Sequence, residues 1–222
     1  MPDQVEARHH THPLGFNLAA IAVMMVLFGL GAAYLLDATV RSSAVSTHRS
    51  DAETTRTRTL GGVDFEIPRS WFRYDEQRVE GFAKQIELRL DLPLGAEGSL
   101  AAVDVTLLPR SRVRPSAALL DGVYLHQFLD DQLTGPPGLV GKPLKPVEGY
   151  AGETVWYDPL SGDPFVAKCS QPIAANGTGQ CLRMVYLGTG IAAVYAFPEP
   201  VLAGWRDFDA IVGDRLRQIG AL

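Results

Sequence analysis

Nucleophilic catalysis needs a serine, threonine or cysteine held beside an oriented base. The chain has 222 residues and five histidines. His9, His10 and His12 crowd the N-terminus, His48 lies in a polar stretch, and His126 alone falls where the apolar pattern is strong. Neither Gly-x-Ser-x-Gly nor His-Glu-x-x-His occurs. The N-terminal histidines sit in a short polar tail with nothing to orient them as metal ligands. General acid–base work needs two carboxylates, which meet only in three dimensions. Asp91, Asp104, Glu153 and Asp158 are the candidates, and each is accounted for as the outward residue of an alternating strand. The sequence therefore predicts no catalytic, cofactor-binding or metal-ligating residue.

Gly135-Pro-Pro-Gly-Leu-Val-Gly141-Lys142 has the rhythm of a phosphate loop. Pro136 stands where the first glycine is needed, and Pro143 where a Ser or Thr should reach magnesium. Its prolines also remove backbone donors that would hold phosphate. This is not a nucleotide site.

Cys169 and Cys181 are the only cysteines. They flank Ala174-Ala175-Asn176-Gly177-Thr178-Gly179, so an antiparallel hairpin would set them opposite each other. A disulfide there would contribute about 3 kcal/mol by closing a short loop. Two reduced core cysteines are the second reading. The spacing is not Cys-x-x-Cys, so neither a thioredoxin-type motif nor haem attachment follows. Asn176-Gly177-Thr178 matches a glycosylation sequon, and turn chemistry explains it equally well.

The elements that carry these residues are legible in part. Residues 63–67 alternate apolar and polar before Pro68. Residues 86–92 put Ile86, Leu88, Leu90 and Leu92 on one face, with Glu87, Arg89 and Asp91 on the other. Residues 100–108 repeat this, and the two runs should pair as a hairpin. Ser116 is placed to cap a helix running to about Leu133, with Leu120, Val123, Tyr124 and Phe128 as its apolar stripe. Residues 134–149, rich in proline and glycine, form the longest irregular stretch and a candidate contact surface. Strands at 154–158, 164–170, 180–187 and 191–197 follow as an antiparallel meander. A last helix spans 201–219, its Leu202, Trp205, Phe208, Val212, Leu216 and Ile219 making one stripe fit to cover a sheet.

Residues 14–36 are apolar without a charge. As a helix they extend roughly 34 Å, enough to span a hydrocarbon core of roughly 30 Å. Phe16 and Tyr34 lie near its ends, at headgroup depth. The run is longer than a signal-peptide core, although Ala44 offers a small-residue cleavage site. We read a retained single-span anchor with lipid as its partner. Before it, residues 1–13 form a short tail; after it, 37–60 form a polar flexible linker; 61–222 form the folded domain. Arg41 and Arg49 outnumber Arg8, a bias that points the domain inward. The cysteine pair points to an oxidising compartment instead. We place the domain on the periplasmic or extracellular side of the cytoplasmic membrane. The net charge is −5 and no basic patch emerges, which argues against nucleic acid.

The fold class expected is α+β: one transmembrane helix, a linker, then a mostly antiparallel sheet covered by two helices. The order strand–Pro-x-x-Trp, paired strands, helix, loop, meander and Trp-containing terminal helix resembles the PsbP-like α/β sandwich over 61–219. Phe65, Ile67, Pro68 and Trp71, then Gly149-Tyr150, then Trp205 carry the likeness. It implies a non-catalytic binding or accessory module of extracytoplasmic compartments. The anchor and the cysteine pair depart from that family, so no particular partner carries over. The expected function is thus a membrane-anchored interaction or assembly domain with a protein partner. The alternative is a hydrolase or small-ligand protein with its site between 134–149 and the sheet.

Overall fold

The structure, a computed structural model, describes residues 54–146, 152–172, 177–188 and 190–222. The expected tail, the 14–36 span, most of the linker, Gly149-Tyr150 and the 174–176 turn tip lie outside the described residues. Among the described residues no helix is long and apolar enough to cross a membrane.

The domain is α+β and dominated by antiparallel sheet. β1 (Thr55–Leu60) and β2 (Val63–Pro68) form a hairpin, and the short β3 (Gly81–Phe82) joins β1 in parallel. Seven strands make the main sheet: β4 (Ile86–Leu92), β5 (Ala101–Pro109), β6 (Val140–Pro143), β7 (Glu153–Tyr157), β8 (Val166–Ser170), β9 (Gln180–Tyr186) and β10 (Ile191–Pro198). Their order is β4-β5-β10-β9-β8-β7-β6, antiparallel throughout. The expected 86–92 hairpin and the C-terminal meander are both present in it.

β1 corrects the domain boundary. Residues 55–60, assigned to the polar linker, are a strand that registers along the whole of β2. Threonine is β-branched and suits a strand. Arginine can bury its stem while its head finds a polar group. Arg58 does so, 8 % exposed, donating from Nη1 to the Val79 carbonyl at 3.0 Å. Gly61 and Gly62 make the two-residue turn with φ of 62° and 86°, which side chains resist.

The first helix is also shorter than expected. α1 spans Ser116–Gly122 and stops at Val123, whose φ of −136° is not helical. One 3₁₀ turn, Tyr124–Gln127, follows. Gly122 is a poor helix residue, and the chain beyond is drawn off to β6: Leu129 and Leu133 donate their N–H groups to Pro143 and Gly141 carbonyls. Ser116 does not cap the helix; Pro115 holds that position. The last helix, α2 (Trp205–Gln218), begins after a 3₁₀ segment, Glu199–Gly204.

One face of the main sheet carries the principal core. Leu88, Val105 and Tyr195 meet Leu60, Phe65 and Ile67 of the small sheet, and Phe208, Val212 and Leu216 of α2. Phe208 is central, 4.6 Å from the Phe197 ring and 5.7 Å from Tyr195. On the opposite face a smaller cluster, Leu120, Tyr124, Leu144, Val155 and Val166, seats α1 on the β7–β8 side.

Candidate functional site

The expected carboxylates are dispersed, and three are already engaged. Asp104 on β5 accepts from Arg89 Nε and Nη2 at 2.8 and 3.1 Å, and Arg73 Nη1 stands 3.1 Å away. The Asp104 hydrogen bond holds the Arg89 guanidinium pKa above its ordinary value. Glu153 on β7 pairs with Lys168 on β8 at 2.6 Å. Asp158 accepts the Leu160 N–H at 3.0 Å in a turn. Asp91 faces solvent on β4, and His126 is exposed on the 3₁₀ turn. β5 and β7 are separated by β10, β9 and β8. Four strand spacings of about 4.8 Å put Asp104 and Glu153 about 19 Å apart along the sheet. The widest carboxylate pairs of glycoside hydrolysis are about 9.5 Å apart. Among the described residues no group of three or more His, Cys, Asp or Glu gathers to hold a metal.

Part of the space expected for a second kind of site, between 134–149 and the sheet, is occupied by Trp156. Gly141 of β6 lies opposite Trp156 of β7. A Cβ at Gly141 or at Gly135 would fall 2.4 or 2.2 Å from the Trp156 ring. The indole thus occupies the gap, with glycine required on both sides of it. Trp205 Nε1 donates to the Pro137 carbonyl at 3.2 Å and ties the same loop to α2. Lys142, the residue of the rejected phosphate loop, lies in β6 and donates to the Asp130 carbonyl at 2.9 Å.

What stands open is the α1 face of the main sheet where α1 does not reach. Arg89, Asp104, Ala196, Leu182, Lys168 and Val155 form one cross-strand row on it. The centre of this face is apolar: Leu182 is 39 % and Tyr186 36 % exposed, with Met184, Val194 and Ala196 half-buried among them. The paired charges Arg89–Asp104 and Lys168–Glu153 border it on two sides.

β8 and β9 are joined firmly at one end and part at the other. Cys169 and Cys181 are directly opposed and form a disulfide. The ladder covers only Lys168–Ser170 against Gln180–Leu182. Beyond it, Val166 and Met184 would be the next hydrogen-bonded pair, and side chains replace both partners. Arg183 Nη1 donates to the Val166 carbonyl at 3.2 Å, and Ser116 Oγ accepts the Met184 N–H at 2.9 Å. Arg183 and Ser116 are 7 % and 1 % exposed. Arg183 is itself held by a two-point pair with Asp209 at 2.9 and 2.6 Å, and stacks 4.5 Å over Phe165. Side chains thus take over one of the two backbone hydrogen bonds of that pair, on its donor and on its acceptor. The parting opens a groove of about 370 Å³ lined by Pro115, Ala117 and Ala118, by Asp163 and Pro164, and by β9 from Arg183 to Tyr186.

Sequence reasoning missed both this groove and the segment beside it. Residues 110–114 read Arg-Ser-Arg-Val-Arg, with Arg110, Arg112 and Arg114 all exposed. Arg110 stacks 3.9 Å above the Tyr186 ring, and the Tyr186 hydroxyl donates to the Val113 carbonyl at 3.0 Å. The alternating arginines were visible in the sequence; that Arg110 lies over Tyr186 of β9 was not. Of the residues that carried the PsbP-like likeness, Phe65 and Ile67 are in the core, Pro68 ends β2, and Trp71 and Trp205 pack at its margin.

The sequence matches no protein-family model and no curated protein sequence. In fold, the chain is similar to the immunity protein Smlt3025 of the Stenotrophomonas maltophilia type IV secretion system. The TM-score is 0.52 at 11 % identity, covering 75 % of this chain and 93 % of that one. The likeness is one of architecture.

Proposed function

We propose that this protein is a non-catalytic interaction module, tethered to the cytoplasmic membrane with its domain on the outer side, that works by binding a protein partner. The open apolar centre of the main sheet carries the reading: Leu182, Tyr186, Met184 and Val194 are exposed or half-buried between two paired-charge borders. Such a patch rimmed by polar residues is the ordinary form of a protein-binding surface. The engaged carboxylates supply no acid–base pair to act on a small substrate. The fold likeness to an immunity protein of a secretion system supports a protein as the ligand. The disulfide favours an oxidising compartment, and the 14–36 run supplies the anchor. A PsbP-like kinship would suit the same role, as an accessory or assembly factor.

The test is affinity purification of the tagged full chain from detergent-solubilised native membranes, beside a Leu182→Glu, Val194→Glu variant. A stoichiometric partner that the variant loses is expected. Repeated recovery of the chain alone overturns the reading. For orientation, Cys169 and Cys181 should take a membrane-impermeant thiol reagent from outside only after reduction; labelling from the cytoplasm without reduction reverses the placement.

A further inference from the structure

We propose that the groove at the parted end of β8 and β9 takes an extended, acidic segment of the partner protein, added as a strand along β9 at Met184–Tyr186. The inference rests on the reading that the ligand is a protein.

Backbone geometry comes first. Leu187 N–H donates to the Ile191 carbonyl, which sets the parity of the β9–β10 ladder. Val185 and Arg183 then bond to β10, while Met184 and Tyr186 turn their backbone groups the other way. Met184 N–H is taken by Ser116. The Met184 carbonyl and both backbone groups of Tyr186 face the groove and have no partner among the described residues. A free strand edge of this kind is what strand addition uses. Ser116 holds the Met184 N–H and Arg183, braced by Asp209, holds the Val166 carbonyl, so these two groups do not pair across the groove. The floor and wall are small: Ala117, Ala118 and Pro164 leave room for side chains of an incoming strand.

Charge then selects the occupant. Arg112 and Arg114 are exposed, and neither meets a carboxylate among the described residues. Arg112 Nη1 reaches only the Lys84 carbonyl, at 3.3 Å. They stand on the segment that Tyr186 ties to the groove rim. Asp163 is the one acidic lining residue, and the lining arginine, Arg183, is already neutralised by Asp209. Two exposed arginines on the segment that enters the groove wall at Pro115 favour an acidic strand over a basic one.

The probe is a fluorescein-labelled octapeptide of alternating Glu and Val, titrated against the full chain in detergent micelles by fluorescence polarisation. Controls are the Lys–Val counterpart, a version N-methylated at alternate residues, and a fluorescent oligothymidylate. We expect the Glu–Val peptide to bind roughly tenfold or more tighter than the Lys–Val peptide. N-methylation, which removes strand donors, should abolish binding. Arg112→Glu with Arg114→Glu should weaken it roughly tenfold, and Ala118→Trp should block it with the thermal midpoint unchanged. Equal binding of the two peptides, indifference to N-methylation, no binding, or tighter binding of the oligothymidylate each overturns the proposal. If the native partner co-purifies undiminished with the Ala118→Trp chain, this inference fails while the interaction reading stands. If wild type recovers no partner, the interaction reading itself fails.

Discussion

The two faces of the main sheet are made by the same strands at alternate positions. On one, Leu88, Val105 and Tyr195 stand in register and are closed over by α2 and the small sheet. On the other, at the neighbouring position of each strand, Arg89, Asp104 and Ala196 stand in register beside Leu182 and Lys168, and solvent reaches them. A period of two lets one stretch of sequence hold the fold together and present a surface. Its bordering charges are paired with each other, Arg89 with Asp104 and Lys168 with Glu153. The closed face spends its polar groups differently: Arg183 points inward and is satisfied by Asp209 and the Val166 carbonyl, which is what parts β8 from β9.

Substitutions should separate the two faces by size of effect. The largest loss is expected for Phe208→Ala, which empties the centre of the closed face at a cost of about 3–5 kcal/mol in urea unfolding. A loss below about 1 kcal/mol would mean that α2 is not the main cover of that face. Replacing Cys169 and Cys181 together with alanine should cost about 3 kcal/mol, and reductant should then have no further effect on the variant. Wild type should lose a similar amount on reduction alone.

The third prediction concerns alkaline pH. Burial, reinforced by Asp209, pushes the Tyr195 phenol pKa well above its ordinary value. In the unfolded chain a tyrosine ionises near pH 10. Above that pH the unfolded state has given up a proton that the folded state keeps, so stability must fall as pH rises. Below it, the contribution is fully present. The share of the decline due to Tyr195 should approach about 1.4 kcal/mol per pH unit, and Tyr195→Phe should remove that share. An unchanged slope in the variant would move the cause elsewhere. Smaller again is Ser116→Ala, which leaves the Met184 N–H without its acceptor and should cost about 1–2 kcal/mol. On the open face, Leu182→Lys should change stability by no more than about 0.5 kcal/mol. Its effect should appear in partner recovery instead, and a large stability loss there would show that the face is core.

How much could be read beforehand depended on which residues bore the signal. β4 was legible to the residue, because Ile86, Leu88, Leu90 and Leu92 alternate with charges and nothing interrupts them. The α2 stripe was legible for the same reason, at helical spacing. β1 was not, since Thr-Arg-Thr-Arg-Thr reads as polar until Arg58 is seen to bury its stem and reach the Val79 carbonyl. The run after Ser116 has the apolar spacing of one long helix. Its second half instead pairs with β6, whose Gly141 is shaped by Trp156 across the sheet.

By itself the sequence determined the alternation that sorts the sheet into two faces, the amphipathic helix that covers one of them, and the uncharged run at 14–36. It also placed Cys169 and Cys181 opposite each other, because a hairpin turns distance along the chain into register. Those are consequences of local periodicity. The tertiary structure alone decided where β8 and β9 part. That follows from long-range contacts: a serine 68 residues before Met184 takes its N–H, and an aspartate 26 residues after Arg183 holds its guanidinium. Side-chain hydrogen bonds between distant elements leave no period to read, and here they shape the groove.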